Sequence, residues 1–228
     1  MRIIVQDNFD DNNFNTNWWT EHETDTATCI EQNQRIELIC PVNGATKYAG
    51  FYTNPLPIQG IYVIEAKFRC NIINYSSGHR GIFIRRSANY GRDLYGGPSN
   101  GVYIAIGATC GDGGGFHDGS SIWYDATDAW HCPHGTEIDT NYNAIFFDAT
   151  DHQIKLIFNG TTGKIEFWID GTKHTSGIVS AAALAHLVGG TGNKIAFEFG
   201  LSNYNEDRKH YWDDVRILDL ISGRQIFV

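Results

Sequence analysis

Short stretches in which apolar and polar residues alternate recur along the chain, separated by clusters of Gly, Asn, Asp and Ser. The clearest is Ile61–Cys70, where Tyr62, Ile64, Ala66, Phe68 and Cys70 fall on one face and Glu65, Lys67 and Arg69 on the other. A period of two is the mark of a half-buried strand. Residues 28–31 and 35–39 read as a hairpin around Gln32-Asn33-Gln34, and residues 81–85 and 102–106 as further strands. Ile154, Leu156 and Phe158 alternate inward and are met by Ile165, Phe167 and Ile169 across Asn159-Gly160-Thr161-Thr162-Gly163. Asn-Gly predicts a tight hairpin there because both residues tolerate positive φ. Asp170-Gly171 makes the next turn, residues 180–187 predict a short helix, and 195–201, 211–218 and 225–228 complete the strands. Many short strands with turn chemistry between them predict an all-β, two-sheet antiparallel jelly-roll sandwich. No linker or repeat interrupts it, so residues 1–228 are read as one domain.

Composition agrees. Aromatic residues make up 13% of the chain, with 25 Gly and 5 Pro, which suits strands and glycine turns better than helices. A hydrophobic content of 42% provides for a full core. The formal charge of −9 argues against nucleic acid, whose phosphates require a basic footprint. No apolar run approaches the roughly 18 residues of a membrane span, so no membrane insertion is predicted. Met1-Arg2-Ile3-Ile4-Val5-Gln6-Asp7 lacks the apolar segment and cleavage site of a secretory signal, so no signal peptide is read in this chain. The five cysteines are an odd number, which leaves at least one thiol free or paired between chains.

Sugars offer apolar C–H faces with polar rims, so their sites pair an aromatic platform with amide, carboxylate and guanidinium groups. Alternation places Trp168 opposite the core-facing Phe167 and Ile169, with Glu166 on its own face. The glycine-rich stretch 111–134 adds Trp123, Tyr124, Trp130 and His131, and another polar-aromatic segment adds Tyr95 and Arg92. Long loops on a rigid scaffold commonly carry binding function. Each aromatic taken singly has the plainer role of packing beneath a loop; as a cluster they predict a glycan-binding surface. Cys110, His117, His131, Cys132 and His134 could hold zinc, although their spacing matches no familiar module. A Cys110–Cys132 disulfide or two unpaired thiols accounts for the same residues. Asn74-Tyr75-Ser76 and Asn159-Gly160-Thr161 read as turns rather than glycosylation sites.

Three segments carry a resemblance: Asp7-Asn8-Phe9-Asp10 with Trp18 downstream, the run from Gly60 to Phe68, and Asp213-Asp214-Val215-Arg216-Ile217. Together they resemble the laminarinase-like glycoside hydrolases of family 16 and their non-catalytic relatives in the concanavalin A-like superfamily. The resemblance implies a Glu-x-Asp-x-x-Glu strand, whose chemistry needs two carboxyls about 5 Å apart for a retaining mechanism. The corresponding stretch, Gly101-Val102-Tyr103-Ile104-Ala105-Ile106-Gly107, holds no carboxylate, and none occurs between Asp93 and Asp112. It also implies a structural Ca²⁺ tying first strand to last, with Asp7 and Asp213 among the ligands. The expected function is a non-catalytic, lectin-like module whose partner is a glycan or polysaccharide, placed extracellularly or on a virion surface. One alternative is a viral or phage decoration protein that contacts other subunits of a viral or cell-surface assembly. The other is a divergent glycoside hydrolase or polysaccharide lyase.

Overall fold

A computed structural model describes residues 1–23, 26–41, 47–54, 56, 60–70, 78–85, 101–106, 120–125, 136–141, 149–181, 184–185, 194–201 and 208–220. These residues form two antiparallel sheets. The first runs in the order β13 (Thr172–Ile178), β12 (Lys164–Ile169), β11 (His152–Asn159), β6 (Ile61–Cys70), β15 (Arg208–Asp219), β4 (Arg35–Cys40) and β3 (Thr28–Gln32). It also takes in β1 (Arg2–Asp7), which pairs with β15. The second sheet runs β10 (Thr136–Asn141), β9 (Ser120–Asp125), β8 (Gly101–Ile106), β7 (Gly78–Arg85), β14 (Lys194–Leu201), β5 (Lys47–Thr53) and β2 (Trp19–Glu23).

The two ends of the chain meet as expected. β15 is long enough to serve three partners: β6 lies along one side, while on the other β4 pairs with its first part and β1 with its last. Between those parts, register with β6 passes from Asp213↔Lys67 to Arg216↔Glu65, so β15 carries one extra residue. Asp214 absorbs it with φ of 47°. The Asp213-Asp214 doublet is therefore a β-bulge, where a short polar side chain tolerates the left-handed region that a β-branched residue resists.

Alternation built the core. Tyr62, Ile64, Ala66, Phe68 and Cys70 are all buried, and Ile154, Leu156 and Phe158 face Ile169, Phe167 and Ile165 in register. Aromatic rings join the sheets at the centre. Phe51 and Phe197 of the second sheet stack with centroids 4.8 Å apart, and Phe197 meets Trp212 of the first edge-on at 4.9 Å. Each such ring contributes about 2–3 kcal/mol of burial.

Some expectations change. Asn159-Gly160 is not the centre of a two-residue turn: Asn159 Oδ1 instead accepts from the N–H groups of Thr161 and Thr162, at 2.9 and 3.0 Å. Gly163, with φ of 73°, supplies the left-handed residue. Asp170 and Gly171 do form the tight turn, at φ of 49° and 78°. Asn33 and Gln34 turn the β3–β4 hairpin at positive φ without a glycine. Glu65 and Glu198 lie on β6 and β14, in opposite sheets. At the predicted helix, Ala181, Leu184 and Ala185 are helical, and Leu184 N–H donates to Ser180 O at 2.9 Å. Cys29, Cys40 and Cys70 are buried and form no disulfide among the described residues, while Cys110, Cys132 and residues 221–228 lie outside the described residues.

Candidate functional site

Pairing register assembles a row of side chains on the outer face of the first sheet. Gln6 lies opposite Arg216, Arg216 opposite Glu65, Glu65 opposite Lys155, and Lys155 opposite Trp168. Lys173 on β13 extends the row beyond Trp168. Partners in register project to the same face, so six strands contribute to one line. The row floors a groove of about 460 Å³ that Gln153, Gly171 and Asp214 also line. That volume lies in the range of small-molecule sites.

Trp168 is half-buried in this groove. Its Nε1–H donates to Glu166 Oε2 at 3.2 Å, and Lys164 Nζ lies 2.7 Å from Glu166 Oε1. The Lys164 hydrogen bond holds the Glu166 carboxyl below its ordinary range against the opposing effect of burial. Lys155 Nζ stands over the indole, 4.8 Å from its centroid, a cation–π contact worth about 0.5–1 kcal/mol at an exposed site. Arg216 binds Glu65 through both Nε and Nη2, with Nε at 3.0 Å from Oε2. In the next row, Lys67 pairs with Asp214 and reaches Asp213 at 3.5 Å. Its hydrogen bond to Asp214 raises the Lys67 pKa.

This arrangement presents an aromatic plane, an amide and fixed charges. Glu65 and Glu166 sit two strands and two residues apart, about 12 Å between Cα atoms from strand spacing, and each carboxylate is tied to a cation, Arg216 and Lys164 respectively. β8, the strand at which the resemblance would place the catalytic carboxylates, runs through the middle of the second sheet.

The sequence-predicted residues divide between the two sheets. Trp168 and Glu166 come together as described. Trp123 and Tyr124 are on β9 of the second sheet, opposite Tyr103 and Val102 of β8. Trp130, His131, Tyr95 and Arg92 lie outside the described residues, as do His117 and His134. Sequence reasoning missed Lys155, Lys173, Arg216 and Gln6, because only the pairing register sets them beside Trp168.

Asp7 and Asp213 have separate partners. Asp7 accepts from Phe9 N–H at 3.1 Å and from Trp19 Nε1–H at 3.0 Å. Asp213 accepts from Asp214 N–H at 2.7 Å, with Lys67 beside its other oxygen. Register places Asp7 opposite the buried Val215 and Asp213 opposite Lys67 on the outer face. Calcium takes six to eight oxygens, whereas each of these two carboxylates is engaged by N–H donors of its own. Among the described residues no group of three or more His, Cys, Asp or Glu side chains forms a metal site.

No family model matches the chain, and no curated protein matches it. Solved structures do. The calcium- and Man3GlcNAc-bound exoplasmic/lumenal domain of VIP36 superposes with a TM-score of 0.67 at 10% identity, covering 92% of this chain and 90% of its own. The potassium-bound carbohydrate recognition domain of Emp46p gives 0.64 at 12% identity, covering 89% and 88%. A chain solved in work on endo-acting O-glycanases with which human gut microbiota initiate mucin breakdown gives 0.60 at 15% identity, covering 96% and 100%. The chain has the concanavalin A-like fold. At these identities the concanavalin A-like likeness is one of architecture, and function has to be argued from side chains.

Proposed function

We propose that the chain is a non-catalytic carbohydrate-binding module that takes a glycan into the groove on the outer face of its first sheet. The observation that carries the reading is Trp168, half-buried in the groove with Glu65, Arg216 and Gln153 and hydrogen-bonded to Glu166 beside it. An indole plane among amide, carboxylate and guanidinium groups matches the apolar face and hydroxyl rim of a sugar ring. Structural likeness to the Emp46p carbohydrate recognition domain and to the Man3GlcNAc-bound VIP36 domain supports the reading, and the exoplasmic/lumenal placement of the VIP36 domain supports an extracellular one. Trp123 and Tyr124 on β9, Trp130 and His131 in the stretch that follows it, and Tyr95 and Arg92 between β7 and β8 belong to the proposal as further contact residues. A structural cation of the kind the calcium- and potassium-bound neighbours hold would need ligands other than Asp7 and Asp213 as a pair. The neighbours lend no support to a virion or decoration role, or to the hydrolase alternative.

The test is binding to a glycan array, followed by titration of the best ligand against Trp168→Ala. Loss of the indole is expected to weaken binding 10- to 100-fold, with no reducing sugar released and the melting temperature little changed. Equal binding by the variant, or sugar release that Glu65→Gln abolishes, would overturn the proposal.

A further inference from the structure

The outer face of the first sheet is unusual in its charge. The whole chain carries 17 Lys and Arg against 26 Asp and Glu, so a random patch should be acidic. On this face, every carboxylate at a described outward strand position is already in an ion pair. Glu65 is held by Arg216, Glu166 by Lys164, Asp213 and Asp214 by Lys67, and Glu37 by Arg35 and Lys209. Lys155, Lys173 and Arg69 are left over, with no carboxylate within ion-pair distance among the described residues.

Those cations are arranged about aromatic rings. Trp168 is flanked in register by Lys155 on one side and Lys173 on the other. Two rows away, Tyr211 lies opposite Arg69, whose Cζ is 5.9 Å from the ring centroid, and Arg35 Cζ stands 4.0 Å over the same ring. Arg69 Nε is buried without a hydrogen-bond partner. Glu37 is 2% exposed beneath Arg35 and Lys209, so it compensates them from below and leaves the solvent side positive. Strand and residue spacing put Trp168 and Tyr211 about 20 Å apart on the diagonal.

We infer that this face binds an acidic glycan, a chain bearing carboxylate or sulfate groups that runs from Trp168 towards Tyr211. Lys155 and Lys173 meet its charges at one end, and Arg69 at the other. The inference rests on the glycan-binding reading above and adds the ligand's class. Rings hold Lys155, Arg69 and Arg35 by cation–π contact, Lys173 flanks Trp168 in register, and Arg35 keeps Nε and Nη2 on Glu37, so Lys155, Lys173 and Arg69 are the cations available to an anion. The chain's overall charge of −9 does not prevent this. Its field is screened beyond about 8 Å at physiological salt, so the cations in contact decide.

The experiment compares polygalacturonate, the same polymer after carboxyl reduction, and dextran sulfate, whose only charges are sulfates, by calorimetric titration with the full chain. At least one acidic polymer is expected to bind ten times or more tightly than the reduced one, and the better of the two identifies carboxylate or sulfate as the recognised group. Lys155→Ala with Lys173→Ala should lower that affinity at least 10-fold with the melting temperature little changed, and Arg69→Ala, whose half-buried side chain makes its melting temperature a required control, should lower it several-fold. Equal binding of the reduced polymer, or indifference to these substitutions while Trp168→Ala still weakens binding, overturns the inference and leaves the glycan reading standing. No binding to any polymer on a broad array, neutral ones included, overturns both.

Discussion

The Trp19 indole N–H donates to Asp7 Oδ2 at 3.0 Å, joining the first strand of one sheet to the first strand of the other. Trp19 is 1% exposed and packs edge-on against Phe51 with centroids 5.1 Å apart. Asp7 also accepts from Phe9 N–H, and Phe9 is fully buried within 6.3 Å of Trp19. One carboxylate thus positions two core aromatics. Asp7→Ala should destabilise the fold by about 1–3 kcal/mol, because it strands a buried indole donor. In a Trp19→Phe background, which has no such donor, the same substitution should cost less. Additive losses in chemical denaturation would argue that the bond contributes nothing.

Two glycines separate backbone strain from steric room. Gly163 and Gly171 both have positive φ, at 73° and 78°. A Cβ on Gly163 would lie 2.8 Å from Val179 O, whereas one on Gly171 would meet nothing within 4 Å. Gly171→Ala should cost only the left-handed penalty of about 1–2 kcal/mol. Gly163→Ala should cost clearly more, since the hairpin must also move off the Val179 carbonyl. Equal shifts in melting temperature would show that the turn relaxes freely.

Calcium offers a direct check on how the chain ends are joined. Asp7 serves Phe9 and Trp19, and Asp213 serves its own bulge and Lys67. Burial and the charge of Asp214 push the Asp213 carboxyl up, partly offset by the Asp214 N–H and Lys67. The Lys67 ammonium already lies 3.5 Å from its Oδ2. Millimolar calcium should therefore leave the melting temperature unchanged. A rise of several degrees that Asp213→Asn abolishes would return the ion to this pair, since a ligand bound only by the native state must stabilise it.

Much of the architecture could be read from alternation because one buried face forces a period of two. β6, β11 and β12 show it, and so does the return of the last strand to the first. Cross-strand register is different. It depends on turns and bulges, and one extra residue at Asp214 decides which side chains lie opposite Glu65. Trp168 was legible because it stands alone between Phe167 and Ile169. Its lysine neighbours were not, because Lys155 and Lys173 belong to strands whose offsets depend on Gly163 and on an irregularity opposite Phe167 and Trp168. The Asn159-Gly160 pair misled for a related reason: an Asn side chain that caps two following N–H groups competes with the left-handed backbone the dipeptide allows.

Glu31 should make stability fall as pH rises. Its side chain is 7% exposed, Oε1 accepts from Asn13 N–H at 2.9 Å, and Oε2 is buried without a donor. Burial, augmented by Asp11 and Asp7 and only partly relieved by the Asn13 N–H, pushes its pKa from 4.5 up to about 7. Between those values the folded chain holds a proton that the unfolded chain has lost. The stabilising contribution is therefore complete below about pH 4.5 and disappears as pH climbs through about 7. Glu31→Gln retains the acceptor for Asn13 and adds an N–H for Asp11 without a charge to desolvate. The variant should exceed the parent in stability at pH 8 by on the order of 1–2 kcal/mol. That advantage should close at pH 4, where the parent's carboxyl is protonated and equally neutral. Denaturation curves at the two pH values test the sign: an advantage for Gln at pH 4 that vanishes at pH 8 would mean that Glu31 is stabilised as the anion.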